Sequence, residues 1–321
     1  MKEGVVRNLL AVLVVAVMGI VSSVVGDREL IFPELGALAV GLLVVPKQVW
    51  HVGKLQLILL MGGAAAIGWS LVRWAGVVGY GGQALIAVAG VAILMYILGV
   101  SVPPAIAAAV LPVLTEIDSE LYVISVVVMS VVVVIMQDIE RAAGVRSVSM
   151  GFWKRRKEYT LRDLKRWLLI ILCLVPLVVV SVLVDWRFLI APPLIVTLVE
   201  FSVATSGFRH RPWQVLFLIV FASAVGTTLA TFCGEMGISP LFYSIPTYII
   251  MLGVFSLFVK PFAPAAATCL LPMVIPVEDV WLLPIEVLMG GAYVILISAI
   301  PNLACKRSKG EKGEKGSKIE G

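Results

Sequence analysis

Eight apolar runs, each 16 to 20 residues long, recur along the chain and restrict its fold more than any other feature. They lie at residues 9–25, 55–71, 84–100, 121–136, 168–184, 215–232, 241–259 and 281–300. A helix of about 20 apolar residues spans the hydrocarbon core of a bilayer. Only 14% of the residues are charged, against about a quarter in soluble domains. Because the runs lack the alternation of barrel strands, the sequence predicts an all-α, polytopic transmembrane helical bundle.

The two halves of the sequence match at an offset of 160 residues. The offset superimposes Pro104 on Pro264 and Pro112 on Pro272, and acidic residues follow in both copies. A fixed internal period of this kind indicates duplication. We therefore predict two tandem repeats of about six membrane segments each. The predicted units are repeat 1 (1–136), a basic cytoplasmic linker (137–167), repeat 2 (168–301) and a disordered basic tail (302–321).

Each predicted repeat also contains two short segments that begin with proline, which suits the first turn of a helix. They lie at residues 33–46, 104–115, 193–204 and 264–275. Twelve to fourteen helical residues reach only about 18–21 Å, less than the membrane thickness. Transporters use discontinuous helices of this kind to bind ions. The alternative is that each proline marks a tight turn between two full crossings. The sequence leaves open whether the short segments cross the membrane or re-enter it.

The distribution of charge predicts the orientation in the membrane. If every segment crosses, the loops on one side carry a net charge of +14 and those on the other side −6. By the positive-inside rule, we predict a multi-pass protein of the cell membrane with cytoplasmic N- and C-termini. Re-entrant short segments would move the loops around His51 and His210 to the outside. The formal charge of +5 is thus a topology signal and does not indicate nucleic-acid binding.

The first apolar run follows Lys2 and Arg7, as the core of a signal peptide would. We interpret it as a membrane helix because the run at 168–184 matches it deep inside the chain. Thr160 is the predicted N-cap of the helix that contains this second run. Trp50, next to His51, and Trp213, three residues after His210, are interpreted as anchors at the membrane interface. Ligand recruitment by these two loops is the alternative.

Motifs of enzymes and cofactor sites are missing from the sequence. It has no phosphate-binding Gly-x-x-x-x-Gly-Lys-Ser/Thr and no His-Glu-x-x-His zinc motif. Its four cysteines follow neither metal-site nor disulfide spacing. We therefore predict a protein that is not an enzyme, with no metal and no cofactor.

Carboxylates at membrane depth are the strongest functional signal, because a charged group in hydrocarbon costs several kcal/mol and usually marks a polar pathway. Glu200 is the sharpest candidate, and Thr197 shares its helix face. The alternative for Glu200 is a structural role, as a hydrogen-bond partner of a neighbouring helix. Glu34 and Glu286 lie nearer segment ends, where snorkelling to the interface is an equally good account. The remaining predicted pathway residues lie at the breaks before the short segments: Ser101, Pro103, Pro104, Pro264 and Thr268.

The stretch Val102-Pro-Pro-Ala-Ile-Ala-Ala-Ala and its counterpart Ala263-Pro-Ala-Ala-Ala-Thr resemble the motif of the HPP family of integral membrane proteins. Phe32-Pro-Glu-Leu-Gly-Ala-Leu and Ala191-Pro-Pro-Leu-Ile-Val precede them. The resemblance covers residues 30–115 and 190–275, about half the chain. Val102 and Ala263 stand where that family has histidine. Because one chloroplast member is associated with nitrite transport, the resemblance implies a small-solute transporter.

We therefore predict a membrane permease or secondary transporter for a small solute or ion. Proton or cation coupling fits the intramembrane glutamates better than an anion site does, because no opposite charge in the apolar segments pairs with them. The alternative is a non-transporting assembly or regulatory subunit. The predicted partners are the lipid bilayer and a small solute or ion, not nucleic acid. A homo-oligomer is left open.

Overall fold

The computed structural model describes residues 2–146, 150–155, 159–203, 207–258, 261–275 and 280–316, with side chains as far as residue 299. Within these residues the fold is all-helical, with twelve α-helices and no strand. The helices are α1 (Lys2–Val25), α2 (Glu34–Ala39), α3 (Lys54–Trp74), α4 (Gly79–Leu98), α5 (Pro104–Thr115), α6 (Glu120–Ala142), α7 (Leu161–Val184), α8 (Pro192–Ser202), α9 (Pro212–Glu235), α10 (Pro240–Ser256), α11 (Ala263–Thr268) and α12 (Leu283–Gly316).

Six of the described helices are long and apolar enough to cross a membrane: α1, α3, α4, α6, α7 and α9. Their outward faces carry large apolar side chains, such as Leu172 and Leu183, which are 67% and 79% exposed. A soluble protein rarely exposes apolar surface on this scale, whereas lipid covers it at no cost. The prediction of an all-α fold is confirmed, and six apolar helices of sufficient length agree with the predicted multi-pass membrane protein.

The four short helices lie in the interior of the bundle. All side chains of α2 are buried, and so are those of α5 except Thr115. Helix α5 begins at Pro104 and α8 at Pro192, next to the prolines that predict them. Because long helices surround these short ones, their broken backbone does not face lipid, which cannot satisfy free N–H and C=O groups.

Among the described helices, four pairs make the main contacts between the first half of the chain and the second. The short helix α2 packs against α11, and α5 packs against α8. Outside them, α1 packs against α10 and α4 packs against α7. The short helices of the two halves therefore meet each other at the centre of the bundle.

Glycines on α3 and α9 allow the short helices to approach closely. A Cβ at Gly68 would lie 2.2 Å from the Ala109 carbonyl oxygen, and a Cβ at Gly226 would lie 2.3 Å from the Cys269 carbonyl oxygen. Such distances are far below van der Waals contact, so only glycine fits at these positions. The small residues of α3 and α9 therefore serve helix packing.

Residues 150–155, which lie between α6 and α7, are docked against the first half. The Gly151 and Phe152 carbonyls accept hydrogen bonds from the backbone N–H groups of Lys54 and Leu55, at 2.9 and 3.1 Å. These donors open α3 and have no partner within the helix, so the linker caps α3. At the other end of the linker, Thr160 and Asp163 form the capping box of α7, which confirms the predicted N-cap.

The contacts at the two ends of the bundle show which loops lie together. The His51 ring contacts the Arg155 carbonyl at 2.8 Å, and Arg7 donates to the Val145 carbonyl at 2.7 Å. The His51 loop, the linker and the start of α1 therefore share one end. The re-entrant alternative, which separates the His51 loop from the linker, is wrong because of this contact.

The opposite end holds the ion pair between Arg187 and Glu116, at 2.6 Å. The helical backbone of α12 continues to Gly316, although the sequence predicts disorder from residue 302. Propagating an existing helix is much easier than nucleating one, which favours this continuation. The predicted acidic loop at Glu278 and Asp279 lies outside the described residues.

Candidate functional site

A cavity of about 650 Å³ lies between the first and second halves. It opens at the end of the bundle that carries the His51 loop, since Gln48 and Trp50 of that loop line it. The first half contributes residues 40–41 and 45–50, and the second half contributes Glu200, Val203, residues 207–208 and residues 261–264. A space of this size suits a small organic molecule better than a bare ion.

Among the described residues that line this cavity, Glu200 contributes a carboxylate. It lies in the last turn of α8, and Trp50 Nε1–H points to its Oε1 at 3.5 Å. The Trp50 ring packs on Gly41, where a Cβ would lie 2.3 Å from the ring. Trp50 therefore connects the ends of α2 and α8 across the boundary between the halves.

The interpretation of Trp50 as an interfacial anchor is wrong. Its side chain is buried between the two halves, only 5% exposed. Trp213, the other tryptophan interpreted in this way, is 76% exposed. The indole of Trp50 is turned inward, where it packs on Gly41 and donates to Glu200.

Aromatic rings form much of the remaining wall. Phe208 and Phe262 meet edge to face with their centroids 4.7 Å apart, and Phe262 is fully buried. Two cations lie nearby: Lys47 is exposed in the cavity lining, and the charge of Arg166 in α7 acts on the Glu200 carboxylate. Neither forms an ion pair with Glu200 within the described part of the chain.

A second polar cluster closes the end of α2. The helix continues as a π-helical turn, Val40–Val44, and the Arg146 guanidinium caps its last carbonyls. Arg146 Nη2 donates to the carbonyls of Leu42, Leu43 and Val45, at 2.7, 3.1 and 2.9 Å. Its Nε donates to Glu140 at 2.9 Å, and both side chains are buried.

The structure brings only two of the predicted site residues, Glu200 and Pro264, to the cavity. The hydroxyl of Thr197 donates to the Pro193 carbonyl at 2.7 Å, and that of Thr268 donates to the Pro264 carbonyl at 2.9 Å. Both hydroxyls thus serve their own helices and not the cavity lining.

The predicted residues at the first break have structural roles. The Ser101 backbone N–H donates to the His51 carbonyl at 3.3 Å, which fixes the loop after α4. Pro103 and Pro104 begin α5. None of the three belongs to the described lining of the cavity.

The other two predicted carboxylates are also outside the cavity. Glu34 is completely buried in the first turn of α2, and neither carboxylate oxygen has a hydrogen-bond partner in the described structure. It therefore does not snorkel to the interface. Glu286 is 4% exposed and lies in the first turn of α12, near Tyr80. A charge on Glu34 would cost several kcal/mol unless a proton or cation neutralised it.

Trp50, Phe208 and Phe262 are lining residues that sequence reasoning did not select. The phenylalanines are apolar residues in an apolar chain, so no pattern distinguishes them. Comparison of the chain with models of known families, with curated proteins and with solved structures returns no match. The resemblance to the HPP family stays a prediction.

Proposed function

We propose that this protein is a membrane permease or secondary transporter for a small solute or ion. The observation that carries this proposal is the cavity between the halves, with the Glu200 carboxylate in its wall. Binding sites of secondary transporters lie where two bundles meet, at the ends of discontinuous helices. Helices α2, α8 and α11 all end or begin at this cavity.

The carboxylates favour coupling to a proton or another cation. Glu200 lies at one end of the short-helix layer, and Glu34 lies at the other end of α2. Glu34 lies six residues before Val40, which lines the cavity. At a rise of about 1.5 Å per residue, the two residues are about 9 Å apart along the helix. Ionisable groups inside membrane bundles typically mark proton or ion paths. We propose that α2 separates Glu200, which lines the cavity, from Glu34, which is completely buried.

The proposal includes a duplication, with each half as one repeat. Matching contacts support it at offsets close to 160 residues. The Ser22 hydroxyl donates to the Asp27 carbonyl and the Ser181 hydroxyl to the Trp186 carbonyl, at 2.8 and 2.7 Å. In a duplicated chain α2 corresponds to α8 and α5 corresponds to α11. The pairs α2–α11 and α5–α8 are then equivalent, because exchanging the two halves converts one pair into the other. A pathway between repeats of this kind is common in transporters, where one repeat moves against the other.

We propose that the cavity opens to the cytoplasm. The end that holds it carries Lys47 and Lys54, together with the docked linker and its Arg155. The positive-inside rule assigns such an end to the cytoplasmic side. Both chain termini are proposed to lie on that side as well.

Flux through reconstituted vesicles tests the proposal. We expect vesicles that contain the protein and a trapped pH-sensitive dye to respond to at least one class of external solute, because an open cavity on a membrane path admits it. Protein-free vesicles are the control. Vesicles that stay inert to small cations, anions and neutral metabolites would contradict transport.

The exposed linker favours a second candidate, a non-transporting assembly or regulatory subunit. Phe152 and Trp153 are 70% and 51% exposed on the docked linker. Adjacent exposed aromatic residues are typical of surfaces that bind a partner or a membrane. Inert vesicles would favour this function.

A further inference from the structure

We infer that the cavity binds a small organic cation, one that carries a guanidinium or alkylammonium group. This inference rests on the proposed function, because it specifies the class of solute for the same cavity. Two observations support it: the chemistry of the cavity lining, and the guanidinium group that caps the end of the short helix α2 in the first half.

The lining combines one carboxylate with three aromatic side chains. Trp50, Phe208 and Phe262 contribute the rings, of which Phe208 is partly exposed and the other two are buried, and Glu200 contributes the charge. Aromatic rings attract organic cations through the negative potential of their faces, and such cations are easily stripped of water. Negative charge beside several rings is the usual composition of a site for quaternary ammonium or guanidinium groups.

Inorganic cations fit this lining less well. Calcium takes about 6–8 oxygen ligands, and magnesium about six in a near-octahedral arrangement. No group of three metal-binding side chains occurs among the described residues. Lys47 also lines the cavity, and its positive charge repels a divalent ion about twice as strongly as a monovalent one. The lining therefore suits a weakly hydrated monovalent cation better. The aromatic rings can bind such an ion without several negative charges around it.

The corresponding place in the first half already holds a guanidinium group. At the end of α2, Arg146 occupies a cluster of backbone carbonyls together with the Glu140 carboxylate. At an offset of 160, Val40 corresponds to Glu200, so the carboxylate of the second half lies at the matching helix end. There the described residues supply a carboxylate and a cavity, whereas the residue that corresponds to Arg146 at the same offset, Lys306, lies outside the described side chains. Arg146 shows that a guanidinium group fits beside a carboxylate at such a helix end.

Calorimetric titration of the full-length protein in lipid nanodiscs tests the inference, with methylguanidinium and tetramethylammonium as probes. We expect saturable binding of at least one probe to the wild type. Glu200→Gln should abolish it, because the charge is lost. Phe208→Leu should weaken it by about tenfold, as for one cation–π contact of about 1–2 kcal/mol.

Two control variants match these changes. Glu286→Gln removes a carboxyl outside the cavity, and Phe242→Leu changes a ring that is 69% exposed on the outer face of α10. Both should bind the probes like the wild type. Binding of methylguanidinium alone would indicate recognition by hydrogen bonds, and binding of tetramethylammonium alone would indicate recognition by rings. Either result supports the inference.

The inference is overturned if neither probe binds, or if both probes bind Glu200→Gln and Phe208→Leu as tightly as the wild type. If vesicles nevertheless transport another solute in a Glu200-dependent manner, the proposed function stands and only the class of solute is wrong. If no solute moves and no probe binds, both are wrong.

Discussion

Replacing Arg146 with alanine should destabilise the protein more than any other single change outside the cavity. The substitution leaves the Glu140 carboxylate buried without its ion-pair partner and removes the donors for three carbonyls at the end of α2. Removing one partner of a buried ion pair costs about 3–5 kcal/mol. Equilibrium unfolding in detergent micelles measures this loss as a lower free energy of unfolding.

Arg141→Ala is the matched control. Arg141 has the same charge and lies five residues earlier, in the last turn of α6, but its side chain is exposed. We expect no measurable change in its stability, since isolated surface charges contribute little. Replacing Arg146 and Glu140 together by apolar residues should restore part of the loss, because no buried charge then lacks a partner. Wild-type stability of Arg146→Ala would refute the role assigned to this cap.

Glu200→Gln should eliminate most of the transport activity while the fold stays intact. Glutamine keeps the size of the side chain and can still accept the hydrogen bond from Trp50 Nε1. It can neither carry a proton nor attract a cation by charge. Losing one charge-assisted hydrogen bond between the carboxylate and the solute, worth about 1.5–3 kcal/mol, predicts a flux lower by about 10- to 100-fold. Vesicle uptake measures the flux, and thermal unfolding verifies the fold.

Glu286→Gln is the comparison for this variant, because Glu286 is also buried but does not line the cavity. We expect it to keep near-normal flux. If Glu200→Gln transports normally while Glu286→Gln does not, the pathway follows the other carboxylate and the assignment of the cavity is wrong.

The helices were predictable because their signals are local. Apolar runs of membrane length predict α1, α3, α4, α6, α7 and α9, and prolines mark the starts of α5 and α8. The N-cap at Thr160 follows from the adjacent Asp163 in the same way. Glu200 was predicted for a different reason: a carboxyl in an apolar segment is costly wherever the segment packs.

The parts of the site that were missed depend on tertiary packing. Arg146 lies in a basic linker, where the positive charge is typical of contact with lipid headgroups, yet it turns inward to the end of α2. Trp50 beside His51 has the composition of an interfacial anchor, although the fold places it against Glu200. Conversely, Thr197 and Thr268 look polar in sequence, but their hydroxyls bond to their own helices. Sequence spacing does not distinguish these outcomes.

Chemical labelling inside the cavity tests most directly the central claim that the cavity is the solute path. Val49 lines the cavity and is 52% exposed, so a Val49→Cys variant, with the native cysteines replaced, places one thiol in the path. Phe152→Cys, on the exposed linker outside the cavity, is the control. If the cavity is the solute path, a bulky, membrane-impermeant thiol reagent should reach both cysteines from the cytoplasmic side but block uptake only in the Val49 variant. Complete labelling at Val49 with unchanged uptake would contradict it.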